Sequence, residues 1–204
     1  MSEFLNKVVY VSGAAGNLGQ AVTKIFLSRG AYVVALDIAD QALQAAYPSY
    51  SDHISTHSID LTDAAACKTL FNRLAEEQKI ADILCALTGG FAMGDPVHQT
   101  PIDTWSQLFK INVLTLVTLT SATIPFMQRK GGGKIITIGA NAALSGLPNM
   151  GAYCASKSAV MKLTESMSAE LKCDGFSINC ILPIIINTPQ NRAAMPDIDS
   201  KDWD

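Results

Sequence analysis

KVVYVSGAAGNLG, residues 7–19, decides the fold. Residues 7–12 form a β-branched run of strand length that ends in glycines, and a helix is predicted over 21–29. Between them stands Ser12-Gly13-Ala14-Ala15-Gly16-Asn17-Leu18-Gly19. Glycines 13, 16 and 19 permit a tight turn and let the backbone come close to a pyrophosphate. The helix N-terminus then turns free amides toward the negative charge. A second strand, 31–37 (AYVVALD), closes on Asp37, at the spacing expected of an acid that holds the adenosine ribose. A carboxylate there accepts hydrogen bonds from ribose hydroxyls and repels a 2′-phosphate. No arginine or lysine lies in the glycine loop or just after Asp37 to reverse this, so NAD(H) is favoured over NADP(H). Asp60-Leu61 follows the third strand, where Asp60 either reaches the adenine amino group or simply opens the next helix.

The same alternation continues outward from this unit. Strands are predicted at 53–59, 83–87, 134–138 and 177–182, the last stopped by Pro183. Helices are predicted at 62–79, with Thr62-Asp63 suited to an N-cap, at 104–127 and at 151–172. Strands that read as continuous Val/Ile/Leu runs are buried on both faces. Strand–helix alternation over the whole length therefore predicts a Rossmann-type, doubly wound α/β fold in one domain, 1–204, with a parallel sheet covered by helices on both faces. Helix 104–127 is apolar nearly all round, more than the sheet alone can cover. A homodimer or homotetramer through helices 104–127 and 151–172 is the expectation.

Composition narrows the classes. A net charge of -3 gives no basic footprint for nucleic acid. Cysteines 67, 85, 154, 173 and 180 show neither C-x-x-C pairing nor a partner histidine spacing, which predicts free thiols and no metal site. With no targeting segment ahead of the first strand, a cytoplasmic location is expected. The stretch 113–127 is broken by threonines, Ser121 and Pro125, and reads as too short and too polar to span a membrane.

Tyr153 and Lys157 stand four residues apart on a predicted helix and so share a face. An ammonium beside a phenol favours the phenolate, and the expectation is a tyrosine drawn toward neutrality that gives or takes a proton.

Together the loop 12–19, Asp37, Asp60, Gly89-Gly90, Asn112, Tyr153/Lys157, and Pro183 with Thr188 resemble the short-chain dehydrogenase/reductase family over essentially the whole chain. The resemblance implies an enzyme in which Tyr153 is the proton donor or acceptor, and Lys157 binds the nicotinamide ribose and lowers the tyrosine pKa. Asn112 bends the long helix and holds a water of the proton relay, and Thr188 bonds the carboxamide. Ser12, Gly13, Gly16, Asn17, Leu18, Gly19, Asp37, Asp60, Leu61, Gly89, Gly90, Tyr153, Lys157, Pro183 and Thr188 are the cofactor-binding set it implies.

The chain departs from the family pattern in places. Asn17 replaces a glycine, Ser12 a threonine, and Pro183-Ile184 the usual Pro-Gly. The serine that normally orients a substrate carbonyl, thirteen positions before the tyrosine, is Ala140. The stretches ILCALTGGFAMG, TIGANAALSGLPNMGAYCASK and LPIIINTPQNRAAMPDIDSKDW are similar to the dihydropteridine reductase-like subgroup. That resemblance implies hydride transfer to an activated ring such as a quinonoid dihydropterin. Family members usually continue to a seventh strand, so the last edge strand is expected to be missing. Asn141 and Ser145 are candidates to replace the absent hydroxyl, and Phe91, Met93 and Met150 to wall a flat ring. A 3-oxoacyl thioester (acyl-carrier-protein) or other carbonyl reductase, and a non-catalytic dinucleotide-binding sensor, are the alternatives.

Overall fold

The computed structural model describes residues 3–48 and 52–194. In chain order the strands are β1 (Val8–Ser12), β2 (Tyr32–Asp37), β3 (Ile54–Ser58), β4 (Ile83–Ala86), β5 (Gly133–Ile138) and β6 (Phe176–Ile181). They form one parallel sheet in the order β3-β2-β1-β4-β5-β6. The helices are α1 (Asn17–Ser28), α2 (Asp40–Ala46), α3 (Ala64–Glu76), α4 (Ile102–Phe109), α5 (Thr115–Lys130), α6 (Gly151–Glu170) and α7 (Pro189–Ala194).

Period-two alternation in β1 sorts its side chains between two cores. Val9 and Val11 pack with Val33, Ala35 and Leu43 against Val22 and Phe26 of α1. Tyr10 faces the other way, into a cluster with Phe71, Leu74, Leu119, Met127 and Val160 from α3, α5 and α6. Both faces of β1 are thereby dry, and the one hydroxyl before Ser12, that of Tyr10, is satisfied by Lys79 carbonyl. After β3 the chain crosses to the far side of β1 and builds the other half of the sheet. The strand order reverses there, and the crevice at the C-terminal ends of β1 and β4 is where such sheets bind ligands. Ser12 ties the two ends together, its Oγ accepting from the N–H groups of Leu87 at 3.1 Å and Thr88 at 3.2 Å.

Differences from expectation are local. The sequence predicts no helix between β2 and β3, yet Asp40–Ala46 is α2, anchored by buried Leu43. Two turns of helix are too short for periodicity to register. Helix 62–79 is α3, started as expected by Asp63, whose carboxylate accepts from Ala65 and Ala66 N–H at 2.9 Å. The predicted helix 104–127 is longer, running Ile102–Lys130 through a π-turn at Lys110–Leu114. At that length it is long and apolar enough to cross a membrane, so brevity does not exclude it. It is instead the inner helix of this fold, with Asn112, Leu116, Leu119, Thr123 and Met127 buried against sheet and neighbouring helices. Nor is it apolar all round: Lys110, Ser121 and Gln128 are exposed along with Leu114 and Val117. All five cysteines are unpaired. Residues 195–204, the end of the stretch LPIIINTPQNRAAMPDIDSKDW and the chain's last residues, lie outside the described residues.

Candidate active site

A cavity of about 630 Å³ opens at the C-terminal ends of β1 to β4. Its floor is the glycine loop. Gly13 takes a left-handed φ of +65°, and its carbonyl closes a tight turn on Gly16 N–H at 3.1 Å. Gly19 brings α1 down onto the loop so closely that a Cβ there would lie 2.7 Å from Ala14 Cα, backbone that cannot move aside. The α1 N-terminus, with Gly16, Asn17, Leu18 and Gly19 in the lining, therefore faces the cavity, the end of a helix that attracts anions.

Asp37 ends β2 at the rim. One carboxylate oxygen accepts from Ala15 N–H at 3.0 Å and the other from Ala39 N–H at 3.2 Å. These bonds hold the acid against the loop and leave lone pairs for ribose hydroxyls, since a carboxylate accepts about four. Asp60 and Leu61 line the wall after β3, beside Ile38 and Ile59. Thr62 hydroxyl and N–H donate to Asp60 at 2.7 and 2.8 Å. Those two bonds hold its carboxyl below the usual range, and Lys110 across the cavity adds a smaller pull. Thr188 also lines the cavity. The space, the anion-seeking helix terminus, the ribose acid and the apolar slot fit a nicotinamide dinucleotide.

Five of the expected cofactor residues are not in the cavity's lining: Tyr153 and Lys157, described below, and Ser12, Gly90 and Pro183. Ser12 is fully buried, with its hydroxyl spent on the β4 end, and shapes the loop from below. Gly90 is occupied by Asn112 through both its N–H (2.8 Å) and its carbonyl (3.2 Å). Pro183 accepts Asn141 N–H at 2.9 Å and is not in the lining.

Tyr153 and Lys157 share a face of α6, beside the cavity. Lys157 reaches under Gly89, where a Cβ would meet its Nζ at 3.0 Å and Asn112 Oδ1 at 2.8 Å, so a larger residue there would push both side chains aside. Lys157 Nζ donates to Ile138 carbonyl at 2.9 Å, and burial pushes this ammonium down to about 8. The expected depression of the tyrosine is not found. Burial, with a smaller push from Cys154, raises the Tyr153 phenol to about 12, while Lys157 is directed at Ile138 rather than at the phenol. The phenol therefore keeps its proton at neutral pH. Asn112 sits in the π-turn, where Thr115 N–H bonds Lys110 carbonyl, and this widening turns its side chain inward. Its amide is bonded to Gly90 and Ser156.

Ala140 is buried at the end of β5 and carries no donor. Asn141 and Ser145 are exposed, and among the described residues neither side chain bonds Tyr153. Phe91 does reach it, ring edge to face with centroids 4.9 Å apart. Met93 and Met150 line a separate recess of about 150 Å³, also bordered by Gly94 and Gly151. Sequence reasoning misses Thr88, Gln107 and Lys110 in the nucleotide cavity, and Ser156 at the tyrosine. Thr88 has a signal, since it follows a strand end beside the switch point. Gln107 and Lys110 have none, because their approach depends on how α4 docks.

A model of the short chain dehydrogenase family matches residues 7–199. The chain is 28% identical over 189 residues to an NAD-dependent glycerol dehydrogenase of Listeria innocua, covering 93% of this chain and 74% of that protein. It is 31% identical over 197 residues to a 3alpha-hydroxysteroid dehydrogenase of Mediterraneibacter gnavus (94% and 78%). It is 25% identical over 198 residues to a 3-oxoacyl-[acyl-carrier-protein] reductase of Escherichia coli (95% and 79%). Among solved structures, a short chain dehydrogenase of Shigella flexneri complexed with NADP superposes with a TM-score of 0.89 at 21% identity, over 99% of this chain and 87% of that one. That likeness speaks for the fold.

Proposed function

Since this chain belongs to the short-chain dehydrogenase/reductase family and is an oxidoreductase of that family, we propose that it is an NAD(H)-dependent reductase of an activated ring, such as a quinonoid dihydropterin. When bound, the dinucleotide supplies the hydride. Tyr153 supplies the balancing proton from its phenol oxygen, which burial keeps protonated at neutral pH. Lys157 holds positive charge beneath Gly89. Asp37 receives the ribose hydroxyls, and its charge, with no cation beside it on the loop, favours NAD(H).

Ala140 carries the choice of substrate. Reduction of an ordinary ketone places charge on oxygen, where a second donor commonly contributes a few kcal/mol, about 3 for one removed oxyanion donor. A quinonoid ring is electron-poor and spreads that charge over its nitrogens, so it needs the donor less. NADH oxidation with a quinonoid dihydropterin is expected, with Tyr153→Phe losing about 10²–10⁴ of the rate. Near-wild-type turnover in that variant removes Tyr153 from the role.

The likeness to the 3-oxoacyl reductase favours a second reading, reduction of a 3-oxoacyl thioester. Turnover of an acetoacetyl thioester that exceeds pterin turnover, and rises further in Ala140→Ser, decides for it. Tight NADH binding with no turnover of either substrate decides for a sensor.

The chain is read as one nucleotide-binding domain that associates as a homodimer or homotetramer through the long helix that includes the π-turn and α5, and through α6, the exposed Leu114 (52%) and Val117 (40%) being part of the surface covered. Light scattering of the wild type and of Val117→Glu tests that association.

A further inference from the structure

We propose that Ser156 is a positioning residue for proton transfer at Tyr153, acting through Asn112. The proposal rests on Tyr153 being the proton donor. Ser156 is fully buried on the inner side of α6. Its Oγ donates to Tyr153 carbonyl at 2.8 Å and accepts from Asn112 Nδ2 at 2.9 Å. A serine hydroxyl bonded back to its own helix is ordinary and says nothing about function. The bond to Asn112 is different, because it joins α6 to another element.

Asn112 spends its whole amide on two partners. Oδ1 accepts Gly90 N–H at 2.8 Å, while Nδ2 donates to Gly90 carbonyl at 3.2 Å and to Ser156. The orientation of the amide is therefore fixed, since reversing it would set Nδ2 against Gly90 N–H. Three segments meet at this side chain: the loop after β4, the π-turn before α5, and the start of α6. The next residue in the loop is Phe91, whose ring lies against the Tyr153 ring. A closed circuit results. Tyr153 is held at its backbone by the Ser156–Asn112–Gly90 chain and at its ring by Phe91, which the same chain carries.

Removing the Ser156 hydroxyl leaves one buried Asn112 N–H without an acceptor. The amide then turns or the π-turn shifts, and either motion moves Gly90, Phe91 and the Asn112 oxygen next to Lys157. Hydride-transfer sites are sensitive to such shifts, a 1 Å misplacement costing about 10² in rate. The nucleotide cavity lies on the other side of Gly89 and does not include Ser156, so cofactor affinity is expected to hold.

The test uses the full chain with NADH and two substrates, a quinonoid dimethyldihydropterin and an acetoacetyl thioester, rates being taken on the faster. Ser156→Ala is expected to lower kcat about tenfold, with NADH affinity by fluorescence within twofold of wild type. The solvent isotope effect on kcat should rise as proton transfer becomes slower. Ser156→Thr, which keeps the hydroxyl, should recover most of the rate. In Asn112→Ala the further change Ser156→Ala should add less than twofold, because both act along one path.

Wild-type kcat and isotope effect in Ser156→Ala overturn the proposal, as does full additivity with Asn112→Ala. If Ser156→Ala does not fold, Ser156→Cys takes its place, close in size and a poorer hydrogen-bonding group; an unchanged kcat there also overturns it. Tyr153→Phe separates the two levels. An inactive Tyr153→Phe beside an unaffected Ser156→Ala ends only this proposal, whereas an active Tyr153→Phe ends the reading of Tyr153 on which it stands.

Discussion

Lys157→Met is expected to make the cofactor-free protein more stable while abolishing its turnover. Lys157 is 6% exposed, and burial brings its ammonium from an ordinary 10.5 to about 8. At 1.36 kcal/mol per pH unit, that gap is about 3 kcal/mol by which the buried charge opposes folding at neutral pH. Methionine keeps the apolar stem and removes the charge. It also leaves Ile138 carbonyl without its 2.9 Å donor, a loss of about 1 kcal/mol. The net gain at pH 7 is about 2 kcal/mol, or about 4–8 °C in Tm for a chain of this length. The sign of the pH dependence follows from linkage. Between about 8 and 10.5 the unfolded lysine holds its proton and the folded one has released it, so wild-type stability from this group rises with pH. The advantage of Lys157→Met is therefore complete below pH 8 and gone by about pH 10.5. Urea melts of both cofactor-free proteins at pH 7, 9 and 10 measure it. A variant no more stable than wild type at pH 7, or one whose advantage persists unchanged at pH 10, refutes the reasoning.

Other expectations follow from the same geometry. The kcat/KM for reduction should be level up to about pH 8 and fall above it as Lys157 loses its charge, since Tyr153, pushed up to about 12, stays protonated throughout; a fall that begins only near pH 10 contradicts this. Asp37→Ala should move the NADH/NADPH preference by about two orders of magnitude toward NADPH, read as the ratio of kcat/KM values, because repulsion of the 2′-phosphate goes with the carboxylate. Gly19→Ala should weaken NADH binding at least about tenfold and destabilise by about 1–3 kcal/mol, because the new methyl meets backbone rather than a movable side chain. Fluorescence titration and melting of that variant check both effects, and wild-type values in both would contradict the close packing of α1 on the loop.

Much of the fold is legible because each strand is a short apolar run bounded by turn residues, and the helices between them have their own period. The strands lie within about two residues of expectation, which is the scatter that fraying at the ends of such elements produces. α2 escapes because seven residues carry too little pattern. The glycine loop, Asp37 and Asp60 are legible for another reason: a local chain segment builds that part of the site, so spacing carries it. The position of Lys157 is legible but its electrostatics are not. Sequence spacing places it one turn from Tyr153, yet whether an ammonium tunes a phenol or is itself desolvated depends on what surrounds both.

By itself the sequence determined what local physics governs: strand and helix order, the anion-binding turn after β1, the ribose acid, and the shared face of Tyr153 and Lys157. Tertiary structure decided what depends on residues far apart in the chain. It directed Lys157 to Ile138, half-buried Tyr153 so that its phenol is pushed up rather than down, and brought Gly90, Asn112 and Ser156 into one hydrogen-bonded group. Residues 90, 112 and 156 carry no common spacing. They meet only because β4, the π-turn and α6 pack together, and burial then makes every polar atom among them find its partner.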